Sequence, residues 1–286
     1  MPGPENQWGF VDFNRPMVAI NQWEQAADSM YTLCGKDRIH PSTDGHLVMA
    51  YLFLKAQGLA GKPVADIRID GAGKKVTRSD NCRVSDLSVS SDNLTFTYEA
   101  KSLPYPIDTS YYDNEKHTQA DALSVIPFMD EMNYEGLSVS GLSDGYYGLT
   151  IGGEFIGRFT ARELERGINM ALLQNTPQYK QAMKIRQMNE ERWLKERKMR
   201  EFYWVEYNLM RKTGMLWACN EAAVDTLRKY RPHDIFLQWN GDLWLQYMHK
   251  GIREDCVNEQ QDLVNQIYEQ NKPIPLRIEI KKFTDL

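Results

Sequence analysis

The spacing of apolar residues changes at Thr160, and this change constrains the fold more than any other feature of the sequence. Residues 63–160 contain short runs in which apolar and polar residues alternate, the pattern of half-buried strands. From residue 161 onward, apolar residues recur three or four positions apart, as on one face of a helix. The sequence therefore predicts a small antiparallel β region over 63–160 and a helical extension over 161–286, within a mixed α/β and α+β fold.

Two segments of the predicted β region show alternation most clearly. Leu94, Phe96 and Tyr98 fall on one face of a predicted strand. Farther along, Gly152-Gly153 separates two alternating runs, and such a pair supplies the positive φ angles that a two-residue hairpin needs. These segments predict strands joined by tight turns.

The helical extension opens with Thr160-Ala161-Arg162-Glu163, a capping box in which the Thr and Glu side chains bond reciprocally to backbone N–H groups. Residues 178–213 contain neither Gly nor Pro, and one helix of that length would span about 55 Å. Because long helices rarely stay straight and regular, we expect a kink or a break within this segment. Shorter helices are predicted at 221–230, 241–249 and 254–270.

Residues 1–62 have mixed character. Residues 8–13 predict a short strand, and residues 17–31 predict a helix. Residues 46–57 predict a second helix, which ends at Gly58 and is apolar on nearly every side. A helix of that kind needs cover on more than one face.

Composition excludes several classes of protein. The chain has 286 residues, of which 42% are hydrophobic and 26% charged, unlike a disordered or collagen-like chain. Its net charge of −5 argues against a nucleic-acid surface spread over the whole chain. The longest apolar run, residues 47–54, is far shorter than the roughly 18–20 residues of a membrane span. The four cysteines form no CxxC motif, and no signal peptide is evident.

One segment suggests chemistry through the spacing of its residues. Asp37 precedes His40 by three positions. A carboxylate so placed can hold the Nδ1–H of the imidazole and leave Nε2 free as a general base. Because this spacing also arises often by chance, an ordinary surface turn is the alternative interpretation.

The longer string from Asp37 to Gly58, DRIHPSTDGHLVMAYLFLKAQG, resembles the last conserved block of the SGNH/GDSL hydrolases. In that family, D-x-x-H-P is followed by a polar turn, a glycine and the final helix of the domain. Residues 9–14 look like the last core strand of the same fold. The rest of the chain is similar to the C-terminal extension of such bacterial hydrolases from gut-type Bacteroidetes. That similarity is carried by residues 175–182, 189–192 and 204–208.

The resemblance implies that the chain is the C-terminal portion of an SGNH esterase, with residues 1–62 a remnant of its three-layer α/β sandwich. It implies that His40 is the general base and that Asp37 orients it in a Ser-His-Asp triad, without metal or cofactor. The Gly-Asp-Ser block that carries the family's nucleophile does not occur ahead of Asp37. Ser143-Asp144-Gly145 has the wrong order and lies in a predicted turn, so it is no substitute. We therefore expect the chain alone to be inactive.

An incomplete sandwich would leave a sheet edge and an apolar helix face open. We therefore expect self-association, instability of this region, or docking of an N-terminal half in trans. We expect neither nucleic acid nor a membrane span as partner. The substrate implied by the resemblance is a small ester or an acylated glycan. The alternative is a non-catalytic module that binds carbohydrate or a protein. Family members are usually exported to the periplasm or the exterior, so the location stays open.

The remaining candidate residues have structural interpretations. His46 is predicted to pack against or cap its helix, and three further histidines (His117, His233 and His249) have no partner at metal-ligand spacing. Aromatic platforms do bind sugars, but aromatic residues at helical spacing more often form a core. We expect a core role for the aromatic residues of the extension: Trp193, Phe202, Tyr203, Trp204, Tyr207, Trp217, Trp239 and Trp244.

Overall fold

A computed structural model describes residues 9–110 and 117–283 of the chain. The chain divides into two compact units. The sheet unit comprises residues 1–182 and 273–286, and the helical unit comprises residues 183–272. The mixed fold is confirmed, because two β-sheets are accompanied by a helical C-terminal region. Among the described residues, no helix combines the length and the apolar character that crossing a bilayer requires.

The elements follow one another along the chain with these bounds. The strands are β1 (Ala65–Asp70), β2 (Lys75–Asp80), β3 (Cys82–Val89), β4 (Asn93–Ala100), β5 (Glu135–Ser140), β6 (Tyr146–Ile151), β7 (Glu154–Thr160), β8 (Ile168–Asn169) and β9 (Leu276–Lys282). The α-helices are α1 (Asn14–Glu24), α2 (Thr43–Ala56), α3 (Phe128–Glu131), α4 (Ala161–Arg166), α5 (Pro177–Val205), α6 (Glu221–Tyr230), α7 (Ile235–Tyr247) and α8 (Lys250–Gln270).

The two sheets of the sheet unit are a four-stranded one, in the order β2-β1-β5-β8, and a five-stranded one, in the order β3-β4-β9-β6-β7. Most neighbouring strands run antiparallel, as predicted, but β1 and β5 are parallel. The expectation of a purely antiparallel region is wrong for this pair. A parallel pair needs a long crossover, and the chain between β1 and β5 supplies it by way of the other sheet.

The middle strand of the five-stranded sheet comes from the end of the chain. β9 lies between β4 and β6 and pairs antiparallel with both. Leu276, Ile278 and Ile280 on this strand are buried in the core between the sheets. These residues alternate with polar ones, so the period-two signal is present in the sequence, although we predicted no strand after residue 270. A strand so far along the chain from its partners is fixed by packing rather than by local turns.

Local predictions in the β region are confirmed. Leu94, Phe96 and Tyr98 are each at most 1% exposed. Gly152 and Gly153 form the two-residue turn between β6 and β7, with φ angles of +60° and +85°. Both angles lie in the left-handed region, which glycine enters without the steric cost that a Cβ imposes.

The start of the chain differs from the prediction. Residues 9–13 form no strand, and α1 begins directly after them at Asn14, while Trp8 lies outside the described residues. The predicted strand is therefore wrong over 9–13, where the backbone pairs with none of the described strands. α1 buries no residue completely, although Met17 and Ile20 pack against a small core.

That small core covers one face of α2. Leu47, Val48 and Tyr51 are buried in it, together with residues of the 3₁₀ helix Gln119–Ser124. Phe53 on the same helix is 46% exposed. The strongly apolar α2 is therefore covered on one face and leaves Phe53 in contact with water.

In the helical unit, the predicted long helix breaks as expected. α5 ends at Val205, and a π-helical turn follows over Glu206–Met210. Such a turn is a recognised cause of kinks. It buries Glu206, whose carboxylate accepts hydrogen bonds of 2.8 Å from the Trp244 indole and from the backbone N–H of Trp217.

The aromatic residues of the extension divide into three groups by burial, of which one is Trp204 alone, partly buried against the core of the helical unit. Phe202 and Trp244 are fully buried, which confirms the core role predicted for them. Five others, however, are each at least 39% exposed, so the core role is wrong for these: Trp193, Tyr203, Tyr207, Trp217 and Trp239. Helical spacing alone did not separate an aromatic side chain that faces the core from one on a solvated face.

Candidate functional site

The Asp37–His40 segment lies at the tip of a short closed loop. Cys34 and Pro41 form an isolated antiparallel bridge, and the Gly35 N–H donates to the His40 carbonyl at 2.7 Å. This bond joins the two arms of the loop. The tip itself is therefore a defined turn.

The turn brings the two predicted residues together. His40 Nδ1 lies 2.5 Å from Asp37 Oδ2, while Asp37 Oδ1 accepts the backbone N–H groups of Ile39 at 2.9 Å and of His40 at 3.1 Å. Three donors thus fix the orientation of the carboxylate. When the imidazole carries its proton on Nδ1, it donates to Asp37 and leaves Nε2 as an acceptor.

The electrostatics of the pair suit this arrangement. The hydrogen bond from His40, aided by the Ile39 and His40 backbone N–H groups, lowers the pKa of Asp37 to about 2. Asp37 is therefore ionised at neutral pH and can stabilise a positive charge on the imidazole. The His40 side chain is 84% exposed. The pair can therefore accept a proton, but none of the described residues encloses it in a pocket.

The loop is attached to the first turn of α2 by close packing. Ser42 occupies the N-cap position of α2 without a capping hydrogen bond from its side chain, and its backbone N–H donates to the Leu33 carbonyl at 3.0 Å. A Cβ built on Gly45 would lie 2.0 Å from that same carbonyl oxygen. The helix can approach the loop this closely only because residue 45 has no side chain.

A buried carboxylate stands beside this contact. Asp44 is fully buried, and its Oδ1 accepts the Ser42 hydroxyl and, at 2.8 Å, the Gly45 N–H. Its Oδ2 lies 3.6 Å from His117 Nδ1. Asp44 was not among the predicted site residues, and His117 was predicted to have no partner at metal-ligand spacing. The available signal is Gly45 directly before the helix predicted over 46–57, which in the structure lies within the first turn of α2, where alanine is the better helix former.

The other histidines do not join the Asp37–His40 pair. His46 is exposed on α2, so the predicted packing or capping role is wrong, because Ser42 occupies the cap position. His249 Nδ1 lies 3.4 Å from the Cys219 sulfur in the helical unit. Within residues 9–110 and 117–283, no group of three or more His, Cys, Asp or Glu side chains is placed to bind a metal.

Ser143, which was rejected above as a substitute nucleophile, lies in the β5–β6 connection and forms hydrogen bonds there. Its hydroxyl accepts from Lys282 Nζ at 2.8 Å and contacts the Tyr147 hydroxyl at 3.1 Å. The structure records no contact between Ser143 and His40. The described residues therefore show His40 without a hydrogen-bonded serine.

A second titratable site lies in the core of the sheet unit. Glu135 is fully buried, accepts the Tyr98 hydroxyl at 2.8 Å and accepts the Gln178 amide at 3.2 Å. Burial raises the pKa of Glu135 from its ordinary 4.5 to about 7, against the opposing effect of these two donors. Because solvent does not reach it, we regard Glu135 as a determinant of stability rather than a site for substrate.

We expect the stability of the sheet unit to fall as pH rises from about 5 to 8. The raised pKa means that the folded state holds a proton that the unfolded state releases above pH 4.5. Stability is therefore fully present below that pH and is lost as pH rises through about 7, by on the order of 3 kcal/mol. The measurement is urea denaturation of the wild type and of Glu135→Gln at both pH values.

The neutral variant should lack this fall and be the more stable of the two at pH 8. Its new amide can donate to Gln178 Oε1, a buried atom without a hydrogen-bond partner among the described residues. If the wild type and Glu135→Gln lose stability equally between pH 5 and pH 8, the buried proton is not the cause.

Two surface grooves lie in the helical unit. One, of about 540 Å³, is lined mainly by charged residues of α8, and the other, of about 270 Å³, is lined by residues of α5 and α7 that include Trp193 and Trp204. Neither contains the Asp37–His40 pair, which belongs to the sheet unit.

Comparison with known proteins relates both units to one kind of enzyme. Residues 183–272, the same range as the helical unit, match a family model described as the diltiazem deacetylase C-terminal helical domain. The chain is also similar to a solved structure described as "BT4096 a gut microbial diltiazem-metabolizing enzyme", with a TM-score of 0.91 and 42% sequence identity. That match covers 98% of this chain but 63% of the solved chain. No curated protein matches.

Proposed function

We propose that the chain is the C-terminal part of an SGNH-type ester hydrolase, in which His40 is the general base and Asp37 orients it. The observation that carries the proposal is the 2.5 Å contact between His40 Nδ1 and Asp37 Oδ2. In this reaction a serine hydroxyl attacks the ester carbonyl while His40 Nε2 takes its proton. The proton then passes to the departing alcohol, and water releases the acid from the serine by the same steps in reverse.

The substrate class we propose is an acetyl ester. Support comes from two similarities, one to the family of the diltiazem deacetylase C-terminal helical domain and the other to an enzyme that metabolises diltiazem. A carbohydrate ester, such as an acetylated glycan, belongs to the same reaction class and is part of the proposal. Within it, residues 1–62 carry the catalytic pair as part of the hydrolase domain, and residues 63–160 and 161–286 form the β region and the extension.

The serine and the oxyanion-hole donors are proposed to come from a docking polypeptide, either a further segment of the same protein or a separate chain, that packs against residues 10–53. Large apolar side chains in this segment are exposed, among them Trp23 at 80% and Ile39, beside His40, at 74%. The full set comprises Phe10, Val18, Trp23, Met30, Ile39 and Phe53. Apolar exposure on this scale is a mark of an interaction surface. The similar solved chain, of which this chain covers 63%, is long enough to contain such a segment.

The first test is hydrolysis of p-nitrophenyl acetate by the purified chain and by its His40→Ala variant. We expect both to show the same low rate, because His40 has no serine to activate and the loss of oxyanion donors costs about 10²–10³ in rate. A rate that depends strongly on His40 would show that the nucleophile lies within this chain. It would contradict the proposed docking polypeptide but not the role of His40.

The exposed apolar residues lead to a prediction about association. In the absence of the docking polypeptide, we expect the chain to form dimers or larger species through residues 10–53, and Trp23→Ser to reduce them. Sedimentation velocity over a range of protein concentrations measures this. Tyr268→Ser is the matched control, since Tyr268 is 69% exposed but lies in the helical unit. A wild type that stays monomeric, or two variants that behave alike, would contradict the prediction.

A further inference from the structure

The smaller groove of the helical unit combines aromatic and hydrogen-bonding side chains. It has a volume of about 270 Å³, close to the lower end of the roughly 300–1,000 Å³ of ligand clefts. α5 contributes two tryptophans and three charged residues that lie between them in the sequence, and α7 contributes an amide. The lining residues are Trp193, Arg197, Arg200, Glu201, Trp204 and Asn240.

The aromatic surface extends beyond the groove itself. Trp204 lies against Phe236 with ring centroids 5.2 Å apart, and Phe236 lies against Trp239 at 5.5 Å. Trp193 is 43% exposed and Trp239 is 67% exposed. Several exposed aromatic rings so close together require an explanation, because burying them would stabilise the fold.

The two arginines of the groove are held in place by ion pairs, and each retains N–H donors that are not used in those pairs. Arg197 is bound through its Nε to Glu201 at 2.7 Å, and Arg200 is bound through its Nε to Glu196 at 3.3 Å. A guanidinium has five N–H donors in a planar fork, so each contact employs one of five. The Arg200 guanidinium also stands 5.7 Å from the centre of the Trp193 ring.

We propose that this groove binds a pyranose ring of a glycan. The C–H face of such a ring is apolar and flat enough to stack on Trp193, while its rim carries hydroxyl groups. Those hydroxyls are both donors and acceptors, and the groove offers both: guanidinium donors, the Glu201 carboxylate and the Asn240 amide.

Two other occupants fit the groove less well. A flat organic cation would be attracted by the tryptophans but repelled by Arg197 and Arg200 at the same place. A protein partner would need a contact area of about 800 Å² on each side, much more than the groove presents. A sugar ring with a carboxylate and a neutral one share the stacking chemistry, and the experiment separates them.

This inference goes beyond the proposed esterase activity and does not depend on it. Binding requires no serine and no docking polypeptide, and it can be measured on the chain as it stands. Loss of glycan binding would leave the role of His40 untouched, and the absence of hydrolysis would leave the groove untouched.

Isothermal titration calorimetry tests the proposal with two probes: a β-1,4-linked glucose hexasaccharide and an α-1,4-linked galacturonate hexasaccharide. We expect at least one probe to bind the wild-type chain with a Kd of about 0.1–1 mM. Trp193→Ala should weaken that binding at least tenfold, or about 1.4 kcal/mol. Tyr268→Ala, which removes a more exposed aromatic ring outside the groove, should bind as the wild type does.

The Arg200→Gln variant identifies the kind of sugar. It should weaken binding of the galacturonate probe more than that of the glucose probe if a carboxylate is recognised, and weaken both equally if hydroxyls alone are. Circular dichroism and thermal melting of each variant exclude loss of folding as the cause. The proposal is overturned if neither probe binds at about 10 mM, or if Trp193→Ala and Tyr268→Ala bind equally well in the folded state.

Discussion

His40→Ala should lower kcat for acetyl-ester hydrolysis by about 10³-fold, with KM nearly unchanged, in a protein that contains this chain together with the serine-bearing segment. The imidazole is needed where the proton moves in the transition state, and its removal leaves a serine hydroxyl that is a poor nucleophile at neutral pH. The measurement is release of p-nitrophenol from p-nitrophenyl acetate. It requires sequencing the DNA next to the coding region of this chain and expressing the extended reading frame.

His46→Ala is the matched control, because His46 is another exposed histidine six positions away, on α2. It should leave the rate unchanged. Asp37→Asn should lower kcat as well, since the carboxamide no longer selects the imidazole tautomer that is protonated on Nδ1. An extended protein in which His40→Ala retains most of its activity would remove His40 from the mechanism, even if the protein proved to be an esterase.

Features determined by neighbouring residues could be predicted from the sequence. The Thr160–Glu163 capping box is present, with both reciprocal hydrogen bonds formed. The Gly152-Gly153 turn has the positive φ angles that its residues favour. The contact between Asp37 and His40 belongs to the same group, because three positions in a tight turn bring two short side chains together.

Features determined by distant parts of the chain could not be predicted in the same way. The parallel pairing of β1 with β5 and the insertion of β9 between β4 and β6 join segments far apart in sequence. The apolar pattern of each of these strands is compatible with several neighbouring strands, and tertiary packing determines which pairing forms. Burial of Glu135 has the same origin, since its donors Tyr98 and Gln178 come from a different strand and from α5.

The contact of Gly45 with Leu33 could be predicted in part, because one signal lies in the local sequence and the other depends on the folded loop. The sequence shows a glycine directly before the helix predicted over 46–57. The structure places it inside α2, where glycine is unfavourable by about 1 kcal/mol relative to alanine and therefore calls for a reason. The reason, a carbonyl oxygen only 2.0 Å from where a Cβ would stand, depends on the folded loop and is visible only in the structure. This close contact therefore predicts the effect of replacing Gly45.

Gly45→Ala should destabilise the loop by about 3 kcal/mol. The alanine Cβ would collide with the Leu33 backbone rather than with a movable side chain, so the first turn of α2 and the loop must separate. Separation would lengthen the 3.0 Å hydrogen bond from the Ser42 N–H to the Leu33 carbonyl and release the arms that hold Asp37 and His40. Hydrogen exchange of the Ser42 amide, which reports the free energy of local opening, measures the effect directly.

The matched control is Gly251→Ala in the first turn of α8, where a Cβ would meet nothing within 4 Å. There the same substitution should stabilise the helix by up to about 1 kcal/mol, because alanine is the better helix former. The same substitution, glycine to alanine, is thus predicted to lower stability at position 45 and to raise it at position 251. If Gly45→Ala also proved stabilising, the close approach of α2 to Leu33 would not be a requirement of the fold, and the position of His40 would have to be fixed by the turn alone.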